Sequence, residues 1–336
     1  MRVAILAHEK FPDRAKTAIG ILRYADYEVV AVLDRDRSGE RVHDHIDDVQ
    51  DAPIVASIDD IEEVDALIIG IAPIGGGFDE SWRRDVTGAI ERGCDVIAGL
   101  HYQLNEDDEL VSLAEAHGVT LHDVREPPDD LTVSDGIARE LDATIVLTVG
   151  TDCSVGKMTA TMEIVDSLRE RGVSACAIPT GQTGIMIEGW GIAVDRVISD
   201  FTAGAVERML VEQADDHDIL VVEGQGSITH PAYSGVTCSL LHGSMPDQLI
   251  LCHEPGRDVV HGYESFELLS LEDARDLYVD LAETLAPTEF VGVALNTRHL
   301  DGAEATAAID AVESDLDVAC TDPVRHGAAS LAEVIG

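Results

Sequence analysis

The sequence predicts an α/β protein built from two successive parallel-sheet domains, and three observations carry that expectation. Short apolar runs alternate with helical patterns through the first third of the 336 residues. The alternation breaks once, at a proline- and acid-rich stretch, and then resumes. In the second half a glycine-rich loop carrying a lysine stands between a strand and a helix. Strand, helix and strand repeating at this pitch means a parallel sheet covered on both faces.

The elements follow in order. RVAILA (2–7) reads as a strand and AKTAIGILRYA as a helix, its apolar residues at helical spacing. EVVAVLD (28–34) is a second strand ending in Asp34, a weak hint of ribose binding. VDALIIGIA (64–72) and CDVIAG (94–99) are buried strands with a helix near 80–92 between them, and GVTLHDV adds another. No G-x-G-x-x-G follows the first strand, so a dinucleotide is not supported. APIGGG (72–77) is either an anion- or backbone-contacting loop or a plain turn. REPPDDLTVSDGIARELD (125–142) marks the boundary: a first domain over 1–126, a linker over 127–142 and a second domain over 143–336. The second domain opens with TIVLTVG, a helix near 156–171 and SACAIPTG. A helix near 202–214, DILVVEG, QLILCH, a helix near 271–285, FVGVALN and a last helix complete it.

Charge excludes several partners. Lys and Arg number 22 against 65 Asp and Glu, a formal charge of −43. Phosphate neutralisation needs a basic face, so nucleic acid and anionic membrane surfaces are poor partners. Self-repulsion at this density destabilises a compact state in dilute buffer, and molar salt shortens the Debye length to roughly 3 Å. The composition therefore reads as a cytoplasmic protein of a salt-accumulating halophile. No apolar run reaches transmembrane length, and the N-terminus does not read as a signal peptide. Six scattered cysteines without a C-x-x-C pair disfavour zinc sites and disulfides. A homo-oligomer is compatible with the sequence.

Residues 150–159 carry the strongest motif: Gly150, Thr151, Asp152, Cys153, Ser154, Val155, Gly156, Lys157, Met158 and Thr159. A strand before and a helix after make this a phosphate loop, in which backbone N–H groups and the helix N-terminus cradle an anion. Only three lysines occur, Lys10, Lys16 and Lys157, so a lysine retained here is itself informative. Nucleotide hydrolases place Ser or Thr after that lysine to ligate Mg²⁺. Met158 cannot do so, and Thr159 lies about 100° further round the helix. The cradle thus suits a phosphate-bearing ligand that is not cleaved there.

Other candidates gather at strand ends. Glu223, ending DILVVEG, is placed to ligate metal, position water or accept a proton. His230 and Tyr233, in ITHPAYSG, offer a base and a hydroxyl. His253 and Arg257 end another strand, where ligands collect. Gln182 and Thr183, in the loop PTGQTG, offer hydrogen bonds, and Asn296 a contact to a base edge. Asp200 reads as a helix cap. Cys153 within the cradle is either a reactive thiol or, preferably, structural.

GTDCSVGKMT, VEGQGS, THPAYSG and SDFTAGAVE, with KTAIGILRY and the REPP stretch, resemble the family described as domain of unknown function 1611 over nearly the whole chain. The resemblance implies a Rossmann-like N-terminal domain and a P-loop NTPase-like C-terminal domain similar to dethiobiotin synthetase. Some members are D-glutamate N-acetyltransferases, which implies acetyl-CoA as donor and an acidic D-amino acid as acceptor. On that reading His230 or Glu223 is the base, Tyr233 or backbone N–H groups stabilise the oxyanion, Asp200 assists, and Arg257 or Arg298 grips a carboxylate. The rival is an ATP- and Mg²⁺-dependent carboxylate-activating ligase or kinase, with Thr159, Asp152 or Glu223 on the metal. A third reading is a nucleotide-sensing module without turnover.

Overall fold

The apolar runs of the first unit become a six-stranded sheet. The computed structural model describes all of residues 1–336 except Ile74, which lies within the expected anion loop 72–77. The chain forms two compact units, one of Met1–Glu126 with Gln182–Trp190, the other of Pro127–Gly181 with Gly191–Gly336.

In the first unit the strands are β1 (Arg2–Leu6), β2 (Glu28–Leu33), β3 (Ile54–Val55), β4 (Ala66–Ile69), β5 (Asp95–Ala98) and β6 (Leu121–Asp123). They pair in parallel in the order β3-β2-β1-β4-β5-β6. This doubly wound order reverses between β1 and β4, where α/β sheets open a ligand crevice at their carboxyl ends. Helices α1 (Lys16–Tyr24), α2 (Arg83–Glu91) and α3 (Asp108–His117) accompany it, and β4 is buried at every position. A side chain at Gly70 would meet Ile5 at 2.4 Å and Ala18 at 2.9 Å, so glycine lets α1 close on the sheet.

The second unit carries β7 (Thr144–Gly150), β8 (Ala175–Ile178), β9 (Ile219–Val222), β10 (Gln248–His253), the hairpin strands β11 (Val259–Val260) and β12 (Tyr263–Glu267), β13 (Glu289–Leu295) and β14 (Ala319–Thr321). Its main sheet is parallel throughout, in the order β14-β13-β10-β7-β9-β8. Central β7 runs into the glycine-rich loop and then α4 (Lys157–Glu170). The loop PTGQTG does not stay a loop: Gln182 opens α5 (Gln182–Glu188), whose Thr183 hydroxyl lies 2.8 Å from that of Thr17 within the first unit. Further along come α6 (Ser199–Gln213), α7 (Ser234–Ser244), α8 (Leu271–Ala282) and α9 (Gly302–Leu316).

Within the expected linker 127–142, Glu207 accepts from the N–H groups of Asp135, Ile137 and Ala138 and from the Ser134 hydroxyl, which ties the segment to α6. One local expectation changes. Asp200 does not cap α6: the cap position is Ile198, and Asp200 is exposed in the first turn. No helix among the described residues is long and apolar enough to cross a membrane.

Candidate functional site

Backbone conformation builds the cradle. Five residues separate Gly150 from Gly156, one more than the four of the usual phosphate-loop spacing. The loop turns through two left-handed residues, Ser154 at φ 57° and Gly156 at φ 105°. Gly150 must lack a side chain, since a Cβ there would meet Lys157 Nζ at 2.9 Å and Val155 at 3.0 Å. Gly224 is required too, because its Cβ would lie 1.8 Å from the Thr148 carbonyl.

The N–H groups of Ser154, Val155 and Gly156 donate to no described residue. The first turn of α4 holds no acid in a chain crowded with acids. Unbonded amides at an uncluttered helix start form an anion site. Lys157 is buried and reaches back to the Asp152 carbonyl at 2.8 Å. Together these make a local positive centre.

Buried hydrogen bonds hold the loop. Asp152 is fully buried; one oxygen accepts from Cys153 N–H, the other from Arg257 and from His261 N–H. Arg257 also donates to the Cys153 carbonyl at 2.7 Å and pairs with Glu254. Ser227 donates to the Thr151 carbonyl. Tyr278, on α8, donates to the Gly150 carbonyl at 2.9 Å and accepts from Ile228 N–H. Burial pushes its hydroxyl up to about 12, so it remains a donor. Nothing in the sequence flagged this tyrosine, whose partner lies far off in the chain.

Hydrogen bonds also engage several of the candidate side chains. Glu223 accepts from Thr180 N–H, Gly181 N–H and the Gln225 amide, so its carboxylate ties loops together. His230 is buried, and its Nδ1 lone pair accepts from Ala232 N–H at 3.1 Å. Burial lowers its pKa, favouring the neutral ring, whose other hydrogen bond is to the backbone of His261. As a proton acceptor this imidazole is already spent. Tyr233 is half exposed and stacks on His230 with ring centroids 4.6 Å apart.

Arg257, expected on substrate, is committed to Asp152, whereas Arg298 is 72% exposed and 3.9 Å from Glu254. Asn296 lies against the cradle, 3.8 Å from where a Gly156 Cβ would stand. Gln182 and Thr183 belong to the first unit and Asp200 to the exposed start of α6.

His253, placed by the sequence at a strand end, does reach the cradle. It ends β10, and its Nδ1 lies 2.9 Å from the Thr151 hydroxyl of the cradle. Nε2 has no partner among the described residues. Burial, then Arg257, lowers its pKa to about 4, so the ring is neutral.

Asp152, Cys153 and His230 bring ligand atoms within 4.8 Å of one another. With the Arg257 guanidinium on Asp152 and the His230 Nδ1 lone pair engaged, this set does not fit a divalent cation. Of the three Mg²⁺ candidates, only Thr159 is left without such a commitment.

Fold and site define a two-domain α/β protein, one domain Rossmann-like and the other carrying a phosphate loop. The chain belongs to the DUF1611 family: the family's P-loop domain matches residues 132–332 and its Rossmann-like N-terminal domain residues 35–127. A D-glutamate N-acetyltransferase of Tritonibacter scottomollicae is 42% identical over 270 residues, 80% of each chain. A D-glutamate N-acetyltransferase of a Pseudoalteromonas species is 37% identical over 267 residues, 79% of each chain. The crystal structure of a DUF1611 family protein from Anabaena variabilis superposes with a TM-score of 0.94 at 38% identity, covering 99% of this chain and 98% of that one.

Proposed function

We propose that this protein is an acetyl-CoA-dependent N-acetyltransferase acting on D-glutamate or a similar acidic D-amino acid. Kinship to two enzymes named for that activity supports the N-acyltransferase class. One observation carries the donor assignment: the cradle keeps open amide donors beside Lys157, while Asp152 and Glu223 are already committed. Such a loop holds a phosphate without organising Mg²⁺, which is what a CoA donor needs and an ATP-cleaving enzyme lacks.

In this reading Lys157 and the amides of Ser154, Val155 and Gly156 hold a phosphate of acetyl-CoA, with Asn296 beside them. The amine nitrogen bonds to the acetyl carbon as the thioester C–S bond breaks, and the departing CoA sulfur takes up the proton that the base has received. His253 Nε2 takes the proton that the attacking amine must lose, and the Thr151 hydroxyl fixes the ring's other nitrogen. An anionic ligand bound nearby raises the His253 pKa from its resting value toward neutrality, where a base works best. The exposed Tyr233 hydroxyl is the side-chain donor offered to the oxyanion, and Arg298 the cation offered to a carboxylate. Arg257 and Tyr278 act as positioning residues through the loop.

The test is incubation in molar KCl with acetyl-CoA or Mg-ATP and a panel of D- and L-amino acids, following free CoA and ADP. CoA release confined to acidic D-amino acids is the expected result, and Lys157→Ala abolishes it by removing donor binding. ADP release without CoA selects the ligase or kinase reading; ligand binding without product selects the sensing module.

A further inference from the structure

The first unit contains a cavity of about 360 Å³ bordered by the segments that follow β1 and β2. It lies at the carboxyl ends of the adjacent strands β1 and β2, the edge of a doubly wound sheet on which ligands bind. Its walls carry Lys10, Arg14 and Arg37 together with Glu9, Asp13 and Asp36. Lys10 is one of three lysines in a chain of charge −43, and Lys16 stands six residues later at the start of α1. That helix begins without a side-chain cap and without an acid in its first turn.

Several wall groups are fixed in advance. Asp34 is buried, with one oxygen on Phe11 N–H and the other on Asp36 N–H, so it shapes the wall rather than meeting a ribose. Arg37 is anchored by the Phe11 carbonyl at 2.8 Å. Glu9 sits 3.7 Å from Arg35, which is itself held by Asp85 and by the Ser81 carbonyl. Asp85 lies beneath, where burial would raise its carboxyl, but hydrogen bonds from His8, Ile58 N–H and Ser57 keep it below the ordinary range. By contrast the charged ends of Lys10, Arg14 and Asp13 make no hydrogen bond or close ion pair with any described residue: Asp13 and Arg14 are exposed at the rim, and Lys10 acts on Asp79 only through space. Fixed walls with open charges are the arrangement of a pre-formed binding site.

Charge selects the ligand class. No glycine occurs between β1 and α1, so the backbone does not approach a pyrophosphate as in a dinucleotide site. Carboxylates among the cations repel a polyanion, and cations among the carboxylates repel a polyamine. A small molecule carrying one charge of each sign satisfies both. We propose that this cavity binds a free zwitterionic α-amino acid, its carboxylate on Lys10 and Arg14 and its ammonium on Asp13 and Asp36, as a site separate from the acetyl-transfer chemistry.

The test is calorimetric titration of the full chain, at low and at molar KCl, with glycine, L-alanine, L-glutamate and L-arginine, against acetate and inorganic phosphate as single-charge probes. At least one amino acid binds, and the paired variant Lys10→Gln with Arg14→Gln weakens it about tenfold or more, while Lys157→Ala leaves it unchanged. Thermal melting shows that the variant is folded, and Asp36→Asn gives a second, independent loss. Absence of amino-acid binding, tighter binding of acetate or phosphate, or binding indifferent to Lys10 and Arg14 each overturns the proposal. Loss with Lys157→Ala alone places the binding at the phosphate loop instead. Because this readout needs no turnover, its failure is distinct from failure of the acetyltransferase reading.

Discussion

A lone pair already spent on a backbone amide cannot take a substrate's proton, and that rule separates two histidines of similar appearance in the sequence. His230 Nδ1 accepts from a loop N–H group; His253 keeps Nε2 open beside the cradle. Replacing it should therefore slow chemistry rather than donor binding. His253→Gln is expected to lower kcat by about 10²- to 10⁴-fold with little change in affinity for CoA. The ring also contributes to stability with a definite sign. Its folded value of about 4 lies below the ordinary 6.5, so the folded state favours the neutral ring. That stability is fully present above pH 6.5 and is lost as pH falls toward 4. Melting temperature measured across this window should fall less steeply in His253→Gln than in the parent chain. Unchanged kcat in the variant would move the base elsewhere.

At the scale of elements, SDFTAGAVE acquires a physical reason that its resemblance to a family did not supply. Gly204 and Glu207 lie one turn apart on α6 and dock the segment 132–138. A Cβ on Gly204 would stand 2.1 Å from the Thr132 carbonyl, so Gly204→Ala must shift backbone. Glu207→Gln replaces one of the two acceptor oxygens that serve Ser134, Asp135, Ile137 and Ala138. Each change is expected to cost about 1–3 kcal/mol, read as a lower denaturant midpoint at unchanged slope. A neutral effect from both would show that the segment is not held this way. Buried strands such as β7 and β9 were legible because apolar continuity is local. The helix α5 was not, since its first residues, QTG, follow Gly181 and read as a turn, and its burial comes from contacts distant in sequence. Lys157 was legible because lysine is scarce. The ion pair of Arg257 with Asp152 was not legible for the opposite reason: the two lie in different loops, and no spacing rule reveals the pair.

For the whole molecule, the question is which acids the salt acts upon. Buried carboxylates do not need it: Asp34, Asp123, Asp152, Glu207, Glu223 and Asp322 each accept from backbone N–H groups. A chain with three lysines has thus met the cost of interior acids with its own amides, an arrangement insensitive to ionic strength. The remaining acids lie mainly on exposed helix faces and caps, where like charges repel through solvent and a Debye length of roughly 3 Å in molar salt cuts that repulsion. Stability is therefore expected to rise with KCl and then level off, with the capped, amide-bound interior unchanged. An uncharged osmolyte such as sucrose strengthens burial without screening, so it should not substitute for KCl at equal osmolality. Melting curves in a KCl series beside a sucrose series separate the two effects. A melting temperature flat from dilute buffer to molar KCl would mean that the surface acids are spaced widely enough to tolerate one another, and the net charge of −43 would then carry no requirement for salt.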